Sequence, residues 1–365
     1  MKLKKLFAGI LAVAMMATMA APAFAAGTNT TAVDNDGTFN ITKTLVNEST
    51  QEAMAVLPTG VVAKLVPQDN GVPVTYPAKV VPSNVAITVT DASLDAAAPA
   101  FGIDLPAYTI PGEYVYYLTE QDTGVAGIDV NNKTYRLTVY AIWDKEATDT
   151  SSKIALKVKM DEGVLNDKSF VSNSTKIDTI QNTYKAGTVT VTKKVAGSFA
   201  RKDSEFDFNI TLTSDKEVKS VVKYGTTEIA TNEWTKNDNN QWTVTKSFKL
   251  MADQTETISN IPYGVSYVVS EMNSTGEMNE TTNKEVTIDG VTYTVTYVEN
   301  KSGEVGSANG EKVNSKIDAT IKNVSGTEQV DTGVILDNAP YIALMMVVVA
   351  GAAVMIIKKR RHFED

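Results

Sequence analysis

The body of the chain alternates apolar and polar residues in short runs, which is the pattern of half-buried β-strands. Runs rich in Val, Thr, Tyr, Ile and Trp lie at 135–143, 153–160, 206–213, 241–250 and 291–298. Turn signals such as Asp289-Gly290 separate the runs, and no long amphipathic helix pattern lies between them. The pattern therefore predicts an all-β fold made of β-sandwich domains.

The strand pattern occurs twice along the chain, in the same order. TFNITKTLV at 38–46 returns as TVTVTKKVA at 188–196, IPGEYVYYLTE at 110–120 as IPYGVSYVVSE at 261–271, and TIQN at 179–182 as TIKN at 320–323. Self-similarity at this spacing indicates two tandem domains rather than one large domain. We predict domains over 37–184 and 186–327, with 26–36 as a flexible lead-in rich in Thr, Asn, Asp and Gly.

Three polar residues in each copy fall on the apolar side of their strands, because alternate residues of a strand point to opposite faces. They are Lys43, Glu120 and Asn182 in the first copy, and Lys193, Glu271 and Asn323 in the second. A buried ammonium without a partner is very costly. Each copy is therefore expected to bring its three polar side chains together inside the sandwich.

Two interpretations of this triple remain open from the residues alone. One is a buried Lys–Glu ion pair with an Asn hydrogen-bonded beside it, which stabilises a fold only weakly. The other starts from the neutral forms that an apolar pocket favours, since burial lowers the pKa of a lysine and raises that of a glutamate. A neutral amine is a nucleophile, and a carboxamide can lose ammonia to it while a carboxyl group moves the protons. The product is a side-chain amide between Lys and Asn.

Both ends of the chain differ from the body. Residues 1–25 have a basic start, an apolar run and Ala23-Phe24-Ala25, which predicts a secretory signal peptide cut after Ala25. Residues 339–357 carry no charge and are long enough to span a bilayer as one helix. The basic cluster that follows, at 358–361, predicts that this end stays in the cytoplasm. The protein is therefore expected to be exported and held in the membrane before processing.

Composition excludes several kinds of chemistry. The chain has no cysteine, and its one histidine, His362, lies in the predicted cytoplasmic tail. Disulfides, Cys nucleophiles, His-based triads and zinc sites built on these ligands are therefore excluded from the body. The net charge of −9 makes nucleic acid an unexpected partner. No metal, no cofactor and no enzymatic activity on an external substrate are predicted.

The motifs together resemble the sortase-assembled pilins of Gram-positive bacteria, most closely the FctA-type (streptococcal T-antigen-like) backbone pilin. The residues that carry the resemblance are NITK and VTVTKK on the first strands, YVYYLTE and YVVSE at the glutamates, TIQN and TIKN on the last strands, and TGV, APYIAL and KK in the tail. The resemblance implies tandem Ig-like domains, each with a self-formed Lys–Asn isopeptide bond assisted by a Glu. The implied bonds are Lys43–Asn182 with Glu120, and Lys193–Asn323 with Glu271.

The segment 328–365 resembles a sortase sorting signal, because QVDTGV at 329–334 precedes the apolar stretch and the basic tail. The resemblance implies that a sortase cuts between Thr332 and Gly333 and passes Thr332 to a lysine of the next copy. The proline that the family carries at or beside Asp331 is absent here. This departure favours a dedicated pilus sortase over a housekeeping enzyme. The alternative is a plain linker before a single-pass anchor.

The acceptor lysine implied by the resemblance is Lys176 in STKIDTIQN, with Lys168 and Lys185 as rivals. The expected function is that of a structural pilus subunit on the cell wall. Its expected partners are a sortase, other copies of the chain, accessory pilins and peptidoglycan. The alternatives are a monomeric wall-anchored adhesin and an accessory pilin that binds a host ligand.

Overall fold

The computed structural model describes residues 30–48, 50, 52, 54, 57–74, 83–130, 132–144, 153–166, 169–173, 176–309, 312–313 and 315–326. These residues form β-strands and turns with three short 3-10 helices and no α-helix, so the predicted all-β fold is confirmed. The signal peptide, the segment 339–357, Thr332, Gly333 and Lys168 lie outside the described residues. Within those residues, no helix has the length and apolar character needed to cross a bilayer.

The N-terminal half has twelve strands among its described residues: β1 (Thr31–Val33), β2 (Thr38–Asn47), β3 (Val62–Pro67), β4 (Thr88–Thr90), β5 (Ala92–Ser93), β6 (Ala100–Asp104), β7 (Gly112–Gln121), β8 (Ile128–Asp129), β9 (Thr134–Trp143), β10 (Ile154–Asn166), β11 (Ser169–Ser172) and β12 (Thr179–Tyr184). Two 3-10 helices lie at Gln68–Gly71 and Ser83–Val85. One sheet has the order β1-β10-β9-β7-β3-β5, with β11 beside β10, and the other has the order β4-β6-β2-β12-β8. The core lies between them, where Ile41 of β2 and Tyr116 of β7 belong to one buried cluster.

The C-terminal half has fifteen strands among its described residues: β13 (Ala186–Ala196), β14 (Phe206–Ser214), β15 (Val222–Tyr224), β16 (Thr227–Ile229), β17 (Thr235–Lys236), β18 (Trp242–Leu250), β19 (Thr255–Pro262), β20 (Val265–Asn273), β21 (Gly276–Glu277), β22 (Glu285–Ile288), β23 (Val291–Glu299), β24 (Ser302–Glu304), β25 (Ala308–Asn309), β26 (Lys312–Val313) and β27 (Lys316–Val324). A 3-10 helix lies at Thr231–Glu233. The main sheets have the orders β16-β15-β19-β13-β27-β23-β22 and β17-β18-β14-β20-β21, with β24 beside β20, and β25 and β26 form a small separate pair. Val191 of β13 and Phe208 of β14 belong to the core between the main sheets.

In each half, the first long strand and the last strand are parallel neighbours. In the N-terminal half β2 pairs with β12, with Lys43 opposite Ile180 and Leu45 opposite Asn182. In the C-terminal half β13 pairs with β27, with Lys193 opposite Ile321 and Val195 opposite Asn323. The offset between Lys and Asn is therefore the same in both halves. Because a slip of one residue would turn the side chains of a strand to the other face, this register keeps both residues on the core side.

The predicted flexible lead-in, 26–36, differs from the structure in part. Within it, Thr31–Val33 form β1, which pairs with β10. The side chain of Val33 packs against the buried core cluster of the N-terminal half. The sequence does not predict this short strand, because its two apolar residues, Ala32 and Val33, are adjacent and show no alternation with polar ones.

A single residue, Lys185, separates β12 from β13, and the two halves make direct contacts around it. The hydroxyl of Tyr184 donates to Ser220 Oγ at 2.7 Å. The backbone N–H of Ala126 donates to the carbonyl of Glu217 at 2.9 Å. The backbone N–H of Lys185 donates to the carbonyl of Gly127 at 2.8 Å. The loop after β7 is thereby tied to both the linker and the C-terminal half.

We expect Gly127→Ala to destabilise the protein more than Gly124→Ala. Both glycines have a positive φ, +78° and +70° respectively, which a Cβ makes unfavourable. At Gly127 a Cβ would also lie 2.7 Å from the carbonyl oxygen of Lys185, whereas at Gly124 nothing lies within 4 Å. The expected losses in the free energy of unfolding are roughly 2–4 kcal/mol for Gly127→Ala and about 1–2 kcal/mol for Gly124→Ala. Urea denaturation of the two variants measures the difference, and equal losses would contradict the packing at Lys185.

Candidate functional site

The structure brings Lys43, Glu120 and Asn182 together inside the N-terminal half. Lys43 and Asn182 come from the neighbouring strands β2 and β12, and Glu120 comes from β7 in the opposite sheet. The Nζ of Lys43 lies 2.8 Å from Oε1 of Glu120 and 3.0 Å from its Oε2. Asn182 Nδ2 donates to Oε1 of Glu120 at 2.7 Å. The side chains of Lys43 and Glu120 are 0% exposed, so the carboxyl group contacts both the amine and the carboxamide without bulk water.

Lys193, Glu271 and Asn323 form the equivalent arrangement in the C-terminal half. The Nζ of Lys193 donates to Oε2 of Glu271 at 2.6 Å. Asn323 Nδ2 donates to Oε1 of the same carboxyl group at 2.6 Å. All three residues are 0% exposed. Lys194, the next residue along β13, points outward and pairs with Asp253 on the surface. The alternation of residues along β13 therefore predicts which of the two lysines is buried and which is exposed.

Aromatic rings lie beside both amines, and no motif in the sequence predicts them. The Nζ of Lys43 lies 5.9 Å from the ring centroid of Phe101. The Nζ of Lys193 lies 4.0 Å from the centroid of Phe206 and 5.2 Å from that of Phe208. Phe208 lies directly opposite Glu271 in the pairing of β14 with β20. These rings exclude water from the triads, and only the pairing of distant strands places them there.

Burial moves the lysine and glutamate of the second triad toward their neutral forms. Loss of hydration lowers the pKa of Lys193 to about 8, although the attraction of Glu271 opposes the change. Loss of hydration also raises the pKa of Glu271, against the opposing charge of Lys193 and its hydrogen bonds. In the first triad, burial lowers the pKa of Lys43 by the same cause. A neutral amine beside a carboxyl group is the state required for nucleophilic attack.

The carbonyl oxygens of both asparagines are buried without a hydrogen-bond partner among the described residues. These atoms are Asn182 Oδ1 and Asn323 Oδ1, while the amide nitrogens of the same groups are bonded to glutamates. An unpaired buried acceptor costs about 1–3 kcal/mol of stability. Each carboxamide is therefore held by its nitrogen, which would be the leaving group, with its carbonyl oxygen open to a donor.

A tyrosine missed by the sequence analysis holds the backbone of the second triad. The hydroxyl of Tyr297 accepts a hydrogen bond from the N–H of Glu271 at 3.0 Å and donates one to the carbonyl of Met278 at 3.0 Å. Tyr297 lies in β23, in the sheet opposite to the strand of Glu271. The sequence offers no local signal for this contact, because it depends on how the two sheets face each other.

The other predicted residues lie apart from the triads. Lys176 donates to Thr31 Oγ1 at 3.2 Å and pairs with Asp178 at 3.0 Å. Lys185 pairs with Asp129 at 2.9 Å and with Glu48 at 3.6 Å. Among the residues that the structure describes, no group of His, Cys, Asp and Glu is arranged to hold a metal ion.

Fold and site together define an all-β protein with one buried Lys–Glu–Asn triad in each half. The chain is similar to a curated protein named Pilin from Streptococcus pyogenes serotype M1, with 27% identity over 246 residues. The match covers 65% of this chain, and the chain spans 64% of the length of that relative. The predicted resemblance to Gram-positive pilins is thereby confirmed. A family described as "Domain of unknown function (DUF7601)" matches residues 187–327.

Solved structures of streptococcal pilins are also similar to the chain. The major pilin of Streptococcus pyogenes matches with 18% identity and a TM-score of 0.42, over 80% of this chain and 98% of that one. The major pilin T3.2 of Streptococcus pyogenes matches with 15% identity and a TM-score of 0.45, over 81% of this chain and 99% of that one.

We expect the stability of an Asn323→Ala variant to rise as the pH is raised from 8 to 10.5. The substitution removes the carboxamide, so Lys193 stays a titratable amine. Its pKa is about 8 in the folded state and 10.5 ordinarily, so between these values the unfolded state binds more protons and the folded state gains stability with pH. The gain is roughly 1–3 kcal/mol and is complete above pH 10.5.

Urea denaturation at several pH values measures this gain. The matched control is the double variant Asn323→Ala/Lys193→Met, which keeps the volume of the side chain and loses its titration. The difference between the two variants isolates Lys193 from the other lysines of the chain. The same pH dependence in both variants would contradict a lowered pKa at Lys193.

Proposed function

We propose that the protein is the structural subunit of a covalently polymerised cell-surface pilus. In this proposal, two tandem Ig-like domains are each closed by a self-formed Lys–Asn isopeptide bond. The observation that carries the proposal is the repetition of one buried triad at equivalent positions of two parallel strand pairs. A structural ion pair would explain a single triad. Two triads with the same offset between Lys and Asn, and with the same unpaired asparagine carbonyl oxygen, favour a common chemistry. The similarity to a streptococcal pilin supports the same class.

The proposed reaction in the first domain balances without a cofactor or an oxidant. The neutral amine of Lys43 attacks the carboxamide carbon of Asn182, so that an Nζ–C bond forms and the C–Nδ2 bond breaks. The carboxyl group of Glu120 relays a proton from the amine to the leaving nitrogen, which departs as ammonia. Glu120 contacts both nitrogens and ends the reaction in the state in which it began. Lys193, Asn323 and Glu271 would react in the same way.

The fold supplies most of what this reaction requires. It holds the amine and the carboxamide on neighbouring strands beside one carboxyl group, so that the encounter is intramolecular. Complete burial also keeps out the water that would protonate the amine or compete with it. The bond replaces a buried amine, which can carry a charge, by an amide that cannot, and this removes the cost of burying that charge. By analogy with disulfides, closing a loop of more than 100 residues adds roughly 4–5 kcal/mol of stability.

Polymerisation is proposed at the tail. A sortase would cut between Thr332 and Gly333, hold Thr332 as a thioester and transfer it to the amine of a lysine on the next copy. Peptidoglycan and accessory pilins would be further partners, and the segment 339–357 would anchor the chain in the membrane before cleavage. These residues lie outside the described part of the chain.

Lys176 is favoured over Lys185 as the acceptor. Its amine contacts the hydroxyl of Thr31 and the exposed side chain of Asp178. The amine of Lys185 is held between Asp129 and Glu48, and the hydrogen bond that it donates to Asp129 is the main cause that raises its pKa. A raised pKa keeps the amine protonated and therefore poorly nucleophilic. The backbone of Lys185 is also tied at the junction between the halves.

We expect the processed chain, residues 26–332, to be lighter than its sequence mass by two molecules of ammonia. Glu120→Ala and Glu271→Ala should each restore one ammonia, because proton transfer between amine and leaving group is then unassisted. Intact-mass spectrometry measures this directly, and tryptic peptides identify which bond is missing. Asp161→Ala is a control for loss of a buried carboxylate, since Asp161 pairs with Arg136 away from both triads. A wild-type mass equal to the sequence mass would contradict the cross-linking proposal.

We expect cell-wall extracts of the native host to contain a ladder of multimers that resists boiling in detergent. Lys176→Arg should collapse the ladder to the monomer, because a guanidinium keeps the charge and cannot serve as the acceptor amine. Lys185→Arg is the matched control and should leave the ladder intact. Immunoblotting measures both results. A single wild-type band would contradict polymerisation and favour the monomeric wall-anchored adhesin.

A further inference from the structure

The hydroxyl of Tyr135 has no structural explanation in the fold. The residue lies in β9 and is 0% exposed, and its hydroxyl is buried without a partner among the described residues. The buried hydroxyls of Tyr108, Tyr116 and Tyr184 each have a partner. Because an unpaired buried hydroxyl weakens a fold, phenylalanine would pack at this position at less cost. Since the hydroxyl group does not stabilise the fold, the groups near it indicate another role.

Tyr135 lies beside the first triad. Strands β7 and β9 are antiparallel neighbours, with Leu118 directly opposite Tyr135. Glu120 follows two residues later on β7, so it lies diagonal to Tyr135, a separation that aromatic and long side chains can bridge. Burial, with a smaller contribution from the charge of Glu120, raises the pKa of Tyr135. The hydroxyl consequently keeps its proton and remains available as a donor.

The acceptor that matches this donor is the carbonyl oxygen of Asn182. Asn182 Oδ1 is buried and unpaired, while Nδ2 of the same group is bonded to Glu120. Glu120 is therefore bonded to the carboxamide that carries the unpaired acceptor and lies diagonal, across β7 and β9, to the residue that carries the unpaired donor. When an amine attacks the carboxamide carbon, negative charge develops on Oδ1, and a hydrogen-bond donor at that oxygen stabilises the transition state.

We propose that the hydroxyl of Tyr135 donates a hydrogen bond to Asn182 Oδ1 while the first cross-link forms, and thereby accelerates that reaction. The inference rests on the cross-linking function proposed above. The bonds that form and break are those between Lys43 Nζ, the carboxamide carbon and Nδ2, which leaves as ammonia through Glu120. Tyr135 donates without transferring its proton and is unchanged at the end.

The second half provides an internal comparison. The hydroxyl of Tyr297 is near Glu271 but is already engaged, since it accepts from the N–H of Glu271 and donates to the carbonyl of Met278. Tyr297 therefore holds the backbone, and its proton is not available to Asn323. The cross-link between Lys193 and Asn323 should not depend on Tyr135 at all. Both bonds form in the same molecule. The rate of the second bond therefore serves as an internal control for folding and sample handling when the first bond is perturbed.

The test is a time course of both cross-links in Tyr135→Phe. The processed chain, residues 26–332, is made by cell-free translation, sampled at intervals, quenched in denaturant and digested with trypsin. Mass spectrometry then quantifies the peptides that join Lys43 to Asn182 and Lys193 to Asn323. We expect the first bond to form about tenfold more slowly or worse, with the second bond unchanged. Tyr116→Phe is the matched control, because it removes a bonded hydroxyl from the neighbouring strand and should leave both rates unaltered.

A stability measurement separates this role from a structural one. In a Lys43→Met background, where the first bond cannot form, Tyr135→Phe should leave the Tm unchanged or raise it. A lowered Tm in that background, or an unaltered rate of the first cross-link, would overturn the role of Tyr135. Wild-type chains that lack both bonds would contradict the cross-linking function itself, whereas wild-type bonds that form independently of Tyr135 would overturn this inference alone.

Discussion

The contact between a lysine amine and a glutamate carboxyl group in a dry core is the constraint on which the rest of the structure depends. Removing two charges from water costs more than their attraction returns unless every remaining polar atom is paired. Here one acceptor of each triad, the asparagine carbonyl oxygen, stays unpaired. The aromatic rings beside Lys43 and Lys193 exclude the water that would relieve this cost. Burial consequently lowers the pKa of Lys43 and of Lys193 and raises that of Glu271. A neutral amine held close to a carboxamide can react with it as a nucleophile.

The sequence predicts the strands and which of their residues face the core, but it does not predict which strands pair with each other. Alternation is a local property, so it places Lys43 and Lys193 inward and leaves Lys194 on the surface, where its side chain is 50% exposed. Repetition of three motifs in one order predicts which residues meet. Sheet order is not local, and nothing in β6 or β14 indicates that Phe101 pairs opposite Ile41 or that Phe208 pairs opposite Glu271. The aromatic surroundings of the amines, and the position of Tyr135 beside Glu120, therefore emerge only from the assembled sheets.

Parallel pairing of the first and last strands determines what the proposed cross-link would do under tension. If the two strands are pulled from opposite ends of the domain, the backbone ladder between them is loaded in shear along its whole length. Between β13 and β27 that ladder runs over nine residue pairs. Hydrogen bonds contribute only about 1 kcal/mol each to stability in water, so the ladder holds through their number and can still be broken thermally. The proposed covalent bond between Lys193 and Asn323 would bypass the ladder, and unlike a disulfide it would not depend on the redox state of the surroundings.

The two proposed bonds would carry different shares of the tension, because they lie at different positions along the path of the chain. In a shaft joined at Lys176, tension enters just before β12, follows that strand through Lys185, and continues along β13 as far as Lys193. There it crosses to Asn323 and leaves by the end of β27, close to the tail. The second cross-link is therefore in series with the load. The bond between Lys43 and Asn182 branches from this path at β12, so it carries little tension and instead keeps the N-terminal sandwich closed around the strand that bears it.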